Sequence, residues 1–152
     1  MKKLTLLSFL LIAAPLSAKT IKDFAGCDWV IPGYYKTADE PTAVHHFRNF
    51  KNDKSLEVIA FYNFDIQPKK YAEHDYLKLM HSAEFEGTRL DSYQLSDESV
   101  GFGAAHIEFS LSANNQSVVI VTDDFNYAQK LLTKCVDESL VLQHLTHLTR
   151  AD

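Results

Sequence analysis

The strongest pattern in this chain is the strict alternation from Ala105 to Ser112. Ala105, Ile107, Phe109 and Leu111 fall on one side, and His106, Glu108, Ser110 and Ser112 on the other. A two-residue period of this kind predicts a β-strand with one face in the core and one in water, as antiparallel sheets have. Asn114-Asn115 follows, and asparagine tolerates the positive φ of a tight turn. Ser117–Thr122 then carries four consecutive β-branched residues, Val118 to Val121, and reads as a strand buried more completely.

Two further runs behave in the same way. Residues 44–50 and 56–64, rich in aromatic and β-branched side chains, flank the polar turn Lys51-Asn52-Asp53-Lys54 and predict a hairpin. Thr88–Leu95 is a weaker strand with Leu90 and Tyr93 as its inward residues. Residues 19–42 show no period; Trp29, Val30, Ile31, Tyr34 and Tyr35 are expected to anchor an irregular segment onto the core.

Helical spacing occurs twice. Pro68 can open a helix without cost in the first turn, and Ala72, Tyr76, Leu79, Met80 and Ala83 continue at intervals of three and four before Gly87. A second helix is expected after Thr122-Asp123-Asp124, with Phe125, Ala128, Leu131, Leu132, Cys135 and Val136 on one face. Residues 140–148 either extend it or form a separate C-terminal helix. The predicted order is ββ-α-βββ-α, an α+β fold with an antiparallel sheet of about five strands and two main helices covering one face or both.

The first eighteen residues have a different character. Lys2 and Lys3 precede an apolar run from Leu4 to Ala14, and Pro15-Leu16-Ser17-Ala18 supplies a bend and a small residue. That is the layout of a secretory signal peptide cleaved near Ala18, too short to span a bilayer. The expected organisation is therefore a leader over 1–18 and one periplasmic domain over 19–152. Taking 18 residues from 152 leaves 134, enough for a substantial core.

Export changes the reading of charge and of cysteine. Without Lys2 and Lys3, 13 basic residues face 20 acidic ones, a net charge of −7 with histidine neutral. Such a surface repels nucleic acid and anionic membranes and favours basic protein partners. Cys27 and Cys135 are the two cysteines of the chain, and in an oxidising compartment they are expected to form one disulfide. A lipid-attached Cys27 is rejected, because Lys19, Lys22 and Asp23 separate it from the apolar run.

Candidate chemistry is sparse. Asp123 and Asp124 stand where a strand gives way to a helix, and with His106 they are the best pair for a small hydrolase; a helix cap accounts for them more simply. Of seven histidines, His45 and His46 point to opposite faces of a strand, and His74 and His81 sit about 10 Å apart along the predicted first helix. His144 and His147, three apart, are weak metal candidates that lack further ligands of matching spacing. Gly101-Phe102-Gly103 lacks the third glycine of a dinucleotide loop, and no nucleophile elbow or phosphate loop occurs, so no cofactor is expected.

Tyr34, Tyr35, Phe61, Tyr62 and Phe64 either fill the core or line a binding patch. The expected function is non-catalytic binding of another envelope or secreted protein, for example as an inhibitor or immunity protein against a basic, wall-directed toxin or enzyme. Tyr34, Tyr35, Asp123 and Asp124 are weak candidates for the contact. A carrier of a small apolar ligand is the alternative.

Overall fold

Among the described residues, nine strands and three helices follow one another: β1 (Lys19–Phe24), β2 (Cys27–Ile31), β3 (Lys36–Thr37), β4 (His45–Asn52), β5 (Ser55–Tyr62), α1 (Pro68–Tyr71), β6 (Leu77–Phe85), β7 (Thr88–Leu95), β8 (Ile107–Ala113), β9 (Gln116–Thr122), α2 (Phe125–Leu132) and α3 (Glu138–Thr149). This computed structural model describes residues 17–52, 55–71, 73–74, 76–95 and 106–149. Nearly all of the expected leader, and Gly101-Phe102-Gly103, lie outside them.

Seven strands form one antiparallel sheet in the order β3-β4-β5-β9-β8-β7-β6, and β1 and β2 pair as a separate hairpin. The β8–β9 hairpin closes through Asn114 and Asn115, whose φ values of 54° and 58° are the positive pair such a turn requires. The β5–β9 pairing, Ile59 opposite Ile120 and Phe61 opposite Val118, joins the two halves of the chain.

One sheet face carries Ile59, Phe61, Phe109, Leu111, Val118 and Ile120. Onto it pack Trp29 and Ile31 of β2, Ala128, Leu131 and Leu132 of α2, and Leu140 and Val141 of α3. Phe61 is its centre, with the rings of Phe24, Trp29 and Phe47 set edge-on around it at 5.2–6.2 Å. Trp29 donates its indole N–H to Phe24 O at 2.9 Å, so the large ring is buried without an orphaned donor. A disulfide from Cys27 to Cys135, Cα atoms 5.4 Å apart, ties the β1–β2 hairpin to the end of α2.

The opposite face carries Val58, Ala60, Val119, Val121, Tyr93 and Leu95, covered by Ile66 with Tyr76 at its margin. Arg89 fastens that cover. It holds Asp65 at 2.6 Å and Asp91 at 3.0 Å, and also donates to Ile66 O.

Several expectations change. The sheet has seven strands rather than about five, and residues 19–42 contain β1, β2 and β3 instead of an irregular segment. The helix expected from Pro68 to Ala83 is a single turn, α1, followed by β6. Leu77 and Leu79 alternate toward one face, a bulge intervenes, and His81 and Ala83 fall on the other. Those apolar positions fit either period. The choice is made by β7, whose free edge takes a partner across the tight turn at Glu86 and Gly87, both with positive φ.

The polar side of residues 106–112 is not wet. His106, Glu108, Ser110 and Ser112 are all buried. Residues 140–148 belong to α3, a helix separate from α2.

Candidate functional site

The sequence draws attention first to the end of β9. Asp124 is the N-cap of α2, its Oδ1 accepting the Tyr127 N–H at 3.0 Å. Asp123 instead turns toward the β4–β5 hairpin. Its Oδ2 accepts from Ser55 Oγ at 2.6 Å and its Oδ1 faces Lys51 Nζ at 3.3 Å. The Ser55 hydrogen bond, helped by the Lys51 ammonium and opposed by partial burial, holds the Asp123 carboxyl below the usual carboxylate range.

Beside it lies Glu57, which sequence reasoning missed. It is 2% exposed and takes four partners: Lys51 Nζ at 2.6 Å, Tyr35 OH at 3.0 Å, Asn49 Nδ2 at 2.9 Å and Thr122 Oγ1 at 3.4 Å. Burial, then the hydrogen bond with Tyr127, pushes the Tyr35 hydroxyl far up, so it stays a donor. A detectable signal was present: Glu57 occupies the same strand face as Ile59 and Phe61, and an acid there needs a buried partner.

His106 adds a smaller electrostatic pull on the Asp123 carboxyl. Its Nε2, however, accepts the Leu56 N–H at 3.3 Å, and the ring is buried. The open hollow next to Asp123 and Asp124, bounded by Phe125, Asn126, Gln129 and Leu145, thus meets carboxylates already engaged in capping and ion pairing.

A second region faces solvent. The described residues between Tyr62 and Tyr76 bound an open cleft of about 800 Å³. Tyr62, Phe64 and Tyr76 supply its aromatic wall, and Glu40, Asp65 and Glu73 its carboxylates. Tyr62 and Phe64 lie 5.3 Å apart by ring centroid, as do His74 and Tyr76. Asp65 is neutralised by Arg89, so Glu40 and Glu73 set the charge against Lys70. Burial, then the charges of Glu108 and Glu40, pushes the Tyr62 hydroxyl up to about 12. It therefore remains a neutral donor at the cleft wall.

The other aromatic candidates divide: Phe61 and Tyr35 are core residues, and Tyr34 stands half exposed against Tyr35.

The third region gathers histidines. His144 is fully buried on α3, with Nδ1 3.1 Å from Ser92 Oγ of β7. His81 of β6 lies between it and His147, at ring-centroid distances of 4.5 Å and 4.2 Å. The placement of His81 on a predicted helix hid this meeting. His81 and His147 stack within 27° of parallel, which keeps their in-plane lone pairs from converging on one point. Among the described residues, no group of three or more His, Cys, Asp or Glu side chains is placed to hold a metal ion. No described helix is long and apolar enough to cross a membrane.

No family model matches the chain, and no curated protein proves similar to it in sequence.

Proposed function

We propose that this is an exported, non-catalytic protein that binds another macromolecule, and that the partner inserts a lysine or arginine side chain into the cleft between Tyr62, Phe64 and Tyr76. The observation that carries this reading is the pairing of aromatic faces with the carboxylates of Glu40 and Glu73 in one open cleft. A cation over an aromatic face gains on the order of 0.5–2 kcal/mol, more as water is excluded, and nearby acids add attraction and steering. The net charge of −7 expected after leader removal draws basic partners from a distance.

Export is supported by the signal-like layout of residues 1–18 and by the Cys27–Cys135 bond, since disulfides persist in oxidising compartments. An inhibitor or immunity role against a basic, wall-directed enzyme or toxin is the concrete form of this proposal. The engaged state of Asp123, Asp124 and His106 favours binding over hydrolysis. The carboxylates of the cleft favour a cation over the small apolar ligand of the carrier reading.

Affinity capture from envelope extract tests it, comparing the natural protein with a Glu40→Lys/Glu73→Lys variant. A basic protein retained by the first, lost by the second and released by moderate salt supports the proposal. Identical captures with both proteins overturn it.

A further inference from the structure

We propose that His144, buried beneath α3 against His81, is an acid-operated latch that holds α3 on the sheet at neutral pH and releases it when the ring is protonated. This goes beyond the binding role and does not depend on it.

The inward stripe of α3 runs Leu140, Val141, His144, so an imidazole stands where helix packing calls for an aliphatic side chain. It lies against β6 and β7, and β6 is the edge strand of the sheet, hydrogen-bonded on one side only. Nε2 of His144 and Nε2 of His81 are both buried without a hydrogen-bond partner. Neutral rings tolerate this arrangement, because Ser92 satisfies His144 Nδ1 and the His81 and His144 rings meet edge to face. A protonated ring does not. Its Nε2–H finds no acceptor among the described residues, and a charge on His81, 4.5 Å away by ring centroid, repels it.

Among the described residues, the surroundings offer no rescue. The charges that act on His144 are those of His81 and His147, and the charge that acts on His81 is that of His147. On β6, Lys78 shares the His81 face, as the register of Gln94 and Ser92 shows, and is itself a cation. On β7, Asp91 and Arg89 face the opposite side, engaged with Ser82 and Asp65. Glu138 begins α3 six residues before His144, about 9 Å away along the axis. On α2 the titratable groups are Tyr127 and Lys130, and neither is an acid at these pH values.

Burial, then the two neighbouring rings, lowers His144 to about 4. The proton is thus bound more tightly when α3 is open and the ring is hydrated. The closed state is at full strength above the free imidazole value of about 6.5 and weakens as pH falls from there toward 4. From His144 alone, the open population rises on the order of thirtyfold between pH 8 and pH 5. Opening is local, because the Cys27–Cys135 bond pins the chain three residues before α3 begins.

Amide hydrogen exchange on the oxidised protein, in chelator and corrected for intrinsic rates, reads this directly. Between pH 8 and pH 5, protection of residues 138–149 is expected to fall on the order of thirtyfold relative to β8 and β9. In His144→Leu the fall in relative protection of α3 should be much smaller over the same range. Should that variant misfold, a proton-NMR titration of His144 in the natural protein gives an independent reading, with His144 titrating well below 6. Unchanged relative protection in the natural protein overturns the latch, as does an equal loss in His144→Leu or a His144 that titrates normally.

Discussion

The Oδ1 of Asp124 accepts the backbone N–H of Tyr127 at 3.0 Å, which commits to helix capping one of the two carboxylates that most resembled a catalytic acid. Asp124→Ala should therefore lower stability by about 1 kcal/mol, the usual cost of a lost N-cap. Urea unfolding of the natural and variant proteins measures it. A change below a few tenths of a kcal/mol would contradict the capping role.

Glu57 and Lys51 should not be equivalent in mutation. Glu57→Ala removes the acceptor of four donors and is expected to cost on the order of 3 kcal/mol. Lys51→Met should cost nearer 1 kcal/mol, because Tyr35, Asn49 and Thr122 still satisfy the carboxylate and Lys51 is itself one-third exposed. Equilibrium unfolding at neutral pH gives the order, and a larger loss for Lys51→Met would be inconsistent with this network.

Asp123 adds a pH dependence. Its carboxyl titrates below the ordinary value because of Ser55 and Lys51, so its contribution is present above that value and lost as pH falls through the lowered one. Asp123→Asn should flatten the acid limb of the stability profile, measured by denaturant midpoints across the acid range. An unchanged limb would contradict the assignment.

Much of the fold was legible where alternation is strict. Phe109 and Leu111, Val118 and Ile120, and Leu90 and Tyr93 all lie buried in the strands their pattern indicates. β6 was not legible, because Tyr76, Leu79, Met80 and Ala83 satisfy a helical stripe almost as well as a bulged strand. Only the open edge of β7, a tertiary feature, decides between them. The buried polar row Glu108, Ser110 and Ser112 looked solvated for the same reason. What buries that face includes the 64–76 crossing, anchored by Ile66 and Arg89, and local pattern cannot announce it. The cleft and the histidine cluster follow from these two placements: one needs the crossing segment, the other needs His81 on a strand.

The disulfide joins residues separated by 108 positions. In the chain-entropy picture a loop of that length is worth on the order of 4–5 kcal/mol. A Cys27→Ser/Cys135→Ser double variant should lose about that much, measured by urea unfolding under oxidising conditions. A loss under 1 kcal/mol would mean that the β1–β2 hairpin docks equally well without it.

The central claim is that the cleft at Tyr62, Phe64 and Tyr76 receives a cationic side chain, and chemical-shift mapping with a short lysine-rich peptide, termini blocked, tests it most directly. Backbone shift changes are predicted to concentrate at residues 62–66 and 73–76, to fade as salt is raised and to disappear in the Glu40→Lys/Glu73→Lys variant. Changes spread over the whole acidic surface, or unaltered in that variant, would contradict it.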